Sequence, residues 1–216
     1  MATNLEEARG KDIVVRFDAQ RCIHARHCVL GHPAVFQANV QGPWIDPEAA
    51  SPERTAAVVQ ACPSGALSYE RLDGGLQESP PHQVNVIRIR ENGPLAVVAD
   101  LRIVNEAPMI RATLCRCGRS KNKPFYDIAH VAMGFKASGE PPSNGTPSLA
   151  HRGGLLELVP LKDGPLQING NVELCTCTGR TITRVQETYL CRCGSSANKP
   201  FCDGSHAKIG FVAEGN

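Results

Sequence analysis

A repeated segment that carries two cysteines near its start constrains the fold of this chain more than any other feature. Residues 115–135 read CRCGRSKNKPFYDIAHVAMGF and residues 191–211 read CRCGSSANKPFCDGSHAKIGF, and the two are identical at 13 of 21 positions without a gap. A Gly-Pro-Leu triplet precedes each of them, at 93–95 and at 164–166. Such self-similarity indicates two copies of one structural unit.

Two stretches rich in Gly, Pro and Ser divide the chain into segments of similar size. Residues 136–151, KASGEPPSNGTPSLAH, have no apolar period and are typical of a linker, and 71–81, RLDGGLQESPP, mark a second boundary. We therefore predict three domains, at 1–78, 79–140 and 152–216.

The local pattern predicts strands with few helices, in the α+β class. Alternating apolar side chains predict a strand at 12–18, Ser51 followed by Pro52 predicts a helix start, and 67–71 is typical of a closing strand. The segments that lead into the two copies are β-rich, with strands expected at 84–90, 95–104, 155–161, 166–178 and 182–190.

Composition narrows the classes of protein. The 23 Lys and Arg nearly balance the 21 Asp and Glu, so the basic excess of a nucleic-acid-binding protein is not expected. Met1–Gly10 lacks the apolar stretch of a signal peptide, and no apolar run approaches the roughly 18 residues of a membrane span. We expect a cytoplasmic protein without a membrane span, in which ten clustered cysteines are metal ligands or redox thiols rather than disulfides.

The second copy carries a compact set of four metal-binding side chains. Cys191 and Cys193 are two apart, Cys202 follows after eight residues, and His206 lies four residues further on. Cys202 and His206 at this spacing can share one face of a helical turn. Thiolates and imidazole bind both iron–sulfur clusters and zinc, but zinc sites ordinarily space the first pair as C-x₂₋₄-C. The C-x-C spacing therefore favours iron.

The string CRCGSSANKPFCDGSH resembles the defining motif of the CDGSH iron–sulfur domain family, to which mitoNEET-like proteins belong. The resemblance implies a 2Fe–2S cluster held by Cys191, Cys193, Cys202 and His206, in a small β-rich fold. Because a protonated imidazole cannot bind iron, we also expect acid to release this cluster.

The first copy departs from the family pattern at a ligand and at a turn. It keeps Cys115, Cys117 and His130, but Tyr126 stands at the position of the third cysteine and Ile128 at that of a glycine. Either this copy has lost its cluster and remains as a packing partner, or Tyr126 binds iron as a phenolate or leaves one iron position open. The unperturbed phenol ionises only near pH 10, which favours loss of the ordinary cluster. The resemblance further implies an intramolecular version of the family's homodimer, with pseudo-two-fold symmetry in a monomer.

A different cysteine pattern lies near the start of the chain. Cys22 and Cys28 are six apart with Ala25 midway, and Cys62 precedes Pro63. Bacterial ferredoxins use C-x₂-C-x₂-C with a distant C-P. The stretch from Ile13 to Arg71 therefore resembles the divergent single-cluster ferredoxins, with the central cysteine replaced.

Three thiolates without a fourth fit a 3Fe–4S cluster, or a 4Fe–4S cluster whose fourth ligand is not cysteine. His24 and His27 flank the missing position, and we expect both to be solvated loop residues. Cys175 and Cys177, in the sequence LCTCT, alternate like strand residues on one face, and core packing is favoured for them over a redox pair.

The fold expected is a small ferredoxin-like domain followed by two β-rich CDGSH-type domains in pseudo-two-fold arrangement. No nucleophile with its base, phosphate loop or dinucleotide fingerprint stands out, so an enzyme is not expected. The expected function is electron transfer with a redox protein partner. The alternative is cluster delivery to an apo-acceptor protein, or redox and pH sensing.

Overall fold

The computed structural model describes residues 5–80 and 83–216, which form two compact units divided between Ser79 and Pro80. The start of Met1–Gly10 and the end of the 71–81 boundary lie outside the described residues. Both predicted domains that contain a copy, 79–140 and 152–216, lie in the second unit. Within the described residues, no helix is long and apolar enough to cross a membrane.

The first unit is an antiparallel three-stranded sheet with helices beside it. Its strands follow the order β1, β2, β3 and span Leu5–Arg9, Ile13–Asp18 and Leu67–Arg71. Its α-helices are α1, His27–Gly31, and α2, Pro52–Gln60, with 3-10 turns at Ala19–Arg21 and Pro47–Ala49.

The predicted helix start is confirmed at α2. The Ser51 side chain accepts a hydrogen bond from the Arg54 N–H at 3.4 Å, and Pro52 occupies the first helical position, where a missing N–H costs nothing. The buried side of α2 presents Val59 to Val15 and Phe36 in one hydrophobic core. Cys28 and Cys62 pack against the same core.

The second unit is built almost entirely of strands. The strands are β4, Val86–Ile89, β5, Leu95–Ile103, β6, Met109–Leu114, β7, Leu155–Pro160, β8, Leu166–Cys175, and β9, Thr181–Leu190. The helices are single turns, α3 at Ala129–Ala132 and α4 at Ser205–Lys208. All predicted strands are present, whereas β1 and β6 were not predicted.

The two copies share one six-stranded sheet. The strand β4 pairs antiparallel with β5 of its own copy and parallel with β8 of the other, while β7 pairs antiparallel with β8 and parallel with β5. The strands β6 and β9 cover the outer edges of β5 and β8. One hydrophobic core therefore contains side chains of both copies, including Ile87, Leu101, Leu158 and Leu174.

Two sequence expectations need refinement. The segment 136–151 lacks regular structure, but part of it runs alongside β9. The Asn144 N–H donates a hydrogen bond to the Ile182 carbonyl of β9 at 2.9 Å. The strand β8 ends at Cys175, two residues before Cys177, because a turn begins at Thr176. The Thr176 N–H donates to the Arg180 carbonyl and closes this turn.

Candidate metal centres

In the second copy, a short antiparallel bridge brings the ligand-bearing segments side by side. Leu190, the last residue of β9, pairs with Phe201. The Cys191 N–H donates to the Pro200 carbonyl at 2.8 Å, and the Cys202 N–H donates to the Tyr189 carbonyl at 2.9 Å. Residues far apart in the motif are thus held next to each other by backbone hydrogen bonds.

The four predicted ligands form two close pairs. The Sγ atoms of Cys191 and Cys193 are 3.7 Å apart, and the Sγ of Cys202 lies 3.4 Å from Nδ1 of His206. The first pair is buried and the second is half-buried. Only His206 lies in α4, whereas Cys202 precedes the helix, so the prediction that both share one helical turn is wrong. They meet because the chain turns sharply between them.

The arrangement differs from a single-ion site. Within the described residues, no three Cys, His, Asp or Glu side chains converge where one metal ion would be held. A tetrahedral zinc site requires its four ligands to point at a single atom. Two separate pairs are compatible with a cluster of two irons, in which each iron takes two protein ligands.

Polar side chains hold the loop between the two pairs. The Ser196 hydroxyl donates to the Phe201 carbonyl at 2.7 Å, and the Asp203 carboxylate accepts from the N–H groups of Ala197 and Ser205 at 2.8 and 3.0 Å. The Ser205 hydroxyl, together with these two N–H groups, holds the pKa of Asp203 well below its usual range. The loop is therefore shaped by the protein's own contacts.

The first copy keeps this framework despite its altered residues. Leu114 pairs with Phe125, and the Cys115 N–H donates to the Pro124 carbonyl at 2.9 Å. The Sγ atoms of Cys115 and Cys117 are again 3.7 Å apart. The loop backbone is therefore not what distinguishes the two copies.

The pKa values of three side chains at the first copy's site, Cys115, Cys117 and Tyr126, are shifted from their usual values. The Cys117 thiol and nearby backbone N–H groups lower the pKa of Cys115 to about 6, whereas contact with Cys115 and burial raise the pKa of Cys117. Burial, reinforced by the electrostatic effect of Cys117, Asp127 and Cys115, raises the pKa of Tyr126. Its ring stacks obliquely on His130 with centroids 5.1 Å apart. A neutral phenol therefore occupies the third ligand position.

His130 still faces into this site. Its Nδ1 is buried and has no hydrogen-bond partner among the described residues. The equivalent atom of His206 lies against a thiol, which Tyr126 replaces in the first copy. The first copy thus retains three ligand-type side chains but lacks the fourth.

Two buried arginines organise the loops, and the sequence analysis did not single them out. Arg116 donates to the carbonyls of Arg90, Gly93, Ala137 and Ser138, and Arg192 donates to those of Leu161, Gly164 and Glu214. Each guanidinium also stacks on a ring of its own copy, Phe135 or Phe211. The same residue type, arginine, stands between the two cysteines in both repeats, and this repetition was the feature of the sequence that could have pointed to them.

Each of these arginines also faces the other copy electrostatically. Burial lowers the pKa of Arg116 to about 10, while the charges of Glu91 and Cys191 act in the opposite direction. Burial likewise lowers the pKa of Arg192, against the charges of Asp163 and Cys115. An arginine in each copy therefore lies within electrostatic reach of a cysteine in the other.

In the first unit, the structure brings the three predicted cysteines to one cavity. Cys22, Cys28 and Cys62 line a cavity of about 600 Å³, together with Ala25 and Trp44. Cys22 follows the 3-10 turn, Cys28 lies in α1, and Cys62 follows the end of α2. Three separate elements thus each contribute one cysteine to the lining of this cavity.

The chemistry of these thiols suits a bound cation. Burial raises the pKa of Cys22 and of Cys28, and the charge of Cys62 raises both further. Neighbouring buried thiols resist ionisation unless a metal compensates their charge. His24 and His27 are exposed, as expected, although Nδ1 of His24 lies 3.9 Å from the Sγ of Cys22.

The remaining two cysteines lie away from these sets. Cys175 is buried at the end of β8, and Cys177 is half-buried with its N–H bonded to the Gly139 carbonyl. All ten cysteines belong to the described residues and none forms a disulfide.

Comparison with known proteins agrees with this division. Residues 8–72 match the model of a divergent 4Fe-4S mono-cluster domain, and residues 92–131 and 163–207 each match that of an iron-binding zinc finger of CDGSH type. Two curated relatives, each an uncharacterized protein YjdI, come from Escherichia coli strain K12 and from Escherichia coli O157:H7. Each is 37% identical over 60 residues, which are 28% of this chain and 78% of the relative.

The chain belongs to the CDGSH iron–sulfur family, with tandem copies that follow a divergent 4Fe–4S mono-cluster domain. It is therefore an iron–sulfur-binding protein.

Proposed function

We propose that this protein is an electron carrier with a 2Fe–2S centre held by Cys191, Cys193, Cys202 and His206. The observation that carries the proposal is the division of these four side chains into two pairs, with contacts of 3.7 and 3.4 Å. When bound, the cluster takes up and gives back one electron. One neutral imidazole in place of a thiolate makes the ligand set less negative, which favours reduction, as in Rieske centres.

The first unit is proposed to hold the second redox centre. Its cavity joins Cys22, Cys28 and Cys62, and Ala25 lines the same cavity at the position where a ferredoxin has its central cysteine. Three thiolates and this replacement support a 3Fe–4S cluster, or a 4Fe–4S cluster with a fourth ligand other than cysteine.

For the first copy we propose that no ordinary 2Fe–2S cluster is bound. Burial and the electrostatic effect of Cys117, Asp127 and Cys115 raise the pKa of the Tyr126 phenol, so a phenolate ligand would be costly. In the variant Cys115→Ser, iron content and visible absorbance should equal those of the wild type. A loss of iron or absorbance would show that the first copy binds metal.

The two copies are proposed to form an intramolecular pseudo-dimer in a monomeric protein. The reciprocal strand pairings support this symmetry, since β4 and β7 each pair with both β5 and β8. The loops repeat it, because Gly118 approaches the Cys193 carbonyl as Gly194 approaches that of Cys117. In this view the first copy stays because the second cannot complete its sheet alone.

Cluster delivery to an apo-acceptor protein, with redox or pH sensing, is the second candidate. The observation that favours it is the unequal burial of the ligands, since Cys191 and Cys193 are buried while Cys202 and His206 are half-exposed. An acceptor thiol can reach the second pair more readily than the first. Acid that protonates the imidazole would release the cluster on that side.

A redox cycle separates the two candidates. The anaerobic protein would be reduced with dithionite and reoxidised while absorbance and electron paramagnetic resonance (EPR) spectra are recorded. Full recovery over several cycles is expected for an electron carrier. Loss of the 2Fe-type spectrum on each cycle, or faster transfer to apo-ferredoxin at mildly acidic pH, would instead support delivery.

The two copies supply a matched control for this assignment. The variant Cys202→Ser should lose the reduced 2Fe-type EPR signal, whereas Tyr126→Ser, at the equivalent position of the first copy, should retain it. Equal signals in both variants would contradict the assignment of ligands.

A further inference from the structure

A groove of about 780 Å³ lies where the two C-x-C loops meet, and we call it the loop groove. Its walls are formed by residues 117–121 and 193–195 and by the segment 209–214. We propose that an acidic redox protein docks in the loop groove and exchanges electrons with the cluster of the second copy. This inference rests on the proposed electron-transfer function and adds the partner's surface chemistry.

The positive charge of the loop groove comes from the first copy. Arg119, Lys121 and Lys123 line it, and among the described lining residues they face a single carboxylate, that of Glu214. Arg119 and Lys121 are exposed. Cations at the rim of an interface attract a negatively charged partner and accelerate its encounter.

The equivalent loop of the second copy keeps one of these three cations, Lys199 at the position of Lys123, and lacks the other two. The positions that correspond to Arg119 and Lys121 are occupied by Ser195 and Ala197, although the flanking residues are the same. The first copy, which has lost a cluster ligand, has two cations where the copy with the full ligand set has none. In this proposal the second copy binds the cluster, and the first copy presents positive charge beside it.

Exposed apolar side chains around the loop groove indicate a protein partner. Met133, Ile209 and Val212 line it and are 44%, 52% and 79% exposed. A small anion would need buried cationic donors, and a nucleic acid would need an extended basic surface. Apolar side chains with cations beside them are typical of a surface that binds another protein.

The loop groove also reaches the proposed ligands. Cys193, one of the two buried thiols of the first pair, lines it together with Gly194. A protein seated there would lie beside Cys193, one of the proposed cluster ligands. Small, charge-steered interfaces suit transient electron exchange, in which the partner must leave quickly.

Binding of oxidised flavodoxin, an acidic flavoprotein, tests this proposal without any electron transfer. Fluorescently labelled flavodoxin would be titrated with the full-length holoprotein at low and high salt. We expect binding that weakens with salt, and a loss of affinity of about fivefold or more at low salt in the double variant Arg119→Ser with Lys121→Ala. These substitutions introduce the residues of the second copy, so its loop shows that the fold accepts them.

A matched control removes the same charge elsewhere in the unit. Arg88 and Arg102 are exposed on β4 and β5 and do not line the loop groove. The variant Arg88→Ser with Arg102→Ser should keep wild-type affinity within about twofold. An equal loss in both double variants would reduce the effect to net charge and overturn the proposal.

Other occupants would also be exposed by this design. Absence of flavodoxin binding, binding insensitive to Arg119 and Lys121, tighter binding of a labelled single-stranded oligonucleotide, or a homodimer lost in the double variant would each overturn the proposal. Failure of the electron-transfer function would appear separately, as irreversible loss of the cluster with dithionite in wild type and variants alike.

Discussion

Ile128 and Gly204 occupy equivalent positions, directly before the single-turn helix of their copies, and both have a positive φ. The φ of Ile128 is +71° and that of Gly204 is +82°. A β-branched side chain is rarely found in this left-handed region, because its Cβ crowds the following carbonyl. The first copy thus keeps the loop conformation of a cluster site with a residue that disfavours it.

Replacing Ile128 with glycine should therefore stabilise the second unit. Relief of the left-handed strain outweighs the greater freedom that glycine has in the unfolded chain, and we expect a gain of about 1 kcal/mol in the free energy of unfolding. Denaturant unfolding measures the change. The control is Ile209→Gly, an exposed isoleucine at the end of α4 with a φ of −95°, which should lower stability. Destabilisation by both variants would show that Ile128 is not strained.

Gly118 should tolerate no side chain, because a methyl group there would lie 2.7 Å from the carbonyl carbon of Cys193. We expect Gly118→Ala to lower the free energy of unfolding by about 3 kcal/mol or more, and to reduce cluster absorbance because the clash displaces a ligand's backbone. Gly134 has a similar φ of +64°, but a methyl there would meet no described atom within 4 Å. Gly134→Ala should cost only about 1–2 kcal/mol, which reflects the backbone conformation alone.

Similar losses in Gly118→Ala and Gly134→Ala would mean that the two loops can separate without cost. Thermal unfolding and the visible spectrum of both variants would decide this. The close approach of the loops would then have no role in holding the second copy's ligands.

His206→Cys should extend the cluster's survival into acid. Protonation removes the lone pair with which an imidazole binds iron, whereas a thiolate is held by a stronger bond. We expect the pH of half-maximal cluster loss to fall by about one unit. The decay of visible absorbance after dilution into buffers of decreasing pH measures this. Decay as fast as in the wild type would exclude His206 as the acid-sensitive ligand. The control is His130→Cys, at the equivalent position of the first copy, which should leave the pH of half-maximal cluster loss unchanged.

Ala25→Cys should supply the fourth thiolate of the first unit. Ala25 is exposed on the loop and lines the cavity with the three cysteines, so the new thiol can face the cluster site. For a wild type that shows a 3Fe-type EPR signal when oxidised, the expected result is a cluster of four irons in place of three, with loss of that signal. Ala38→Cys, which also lines the cavity but lies outside the C-x₂-C-x₂-C spacing, is the control. An unchanged spectrum in Ala25→Cys would contradict the placement of the vacant position.

Most of the local structure could be predicted from the sequence because apolar alternation records which face of a strand is buried. The strand Leu67–Arg71 and the cap at Ser51 were predicted at their observed positions. The strand Leu5–Arg9 was missed because it reads LEEAR and lies largely exposed, so it has no apolar alternation. The proposed ligand sets come from the spacing of cysteine and histidine together with the family resemblance, and they stay predictions.

The strand pairing between the copies could not be predicted, because the apolar pattern of a strand does not indicate which other strand it pairs with. The parallel pairing of β4 with β8 joins residues more than eighty positions apart. The roles of Arg116 and Arg192 also depend on carbonyls that only the fold brings around them. Likewise, the meeting of Cys202 and His206 across a turn is a property of the loop as a whole.

The most direct test of the central claim is an iron, zinc and acid-labile sulfide count on anaerobically purified protein. Iron and sulfide in similar amounts are expected, with iron falling by about two per chain in Cys202→Ser and unchanged in Tyr126→Ser. Zinc without sulfide would contradict the account and leave a structural metal-binding protein in its place.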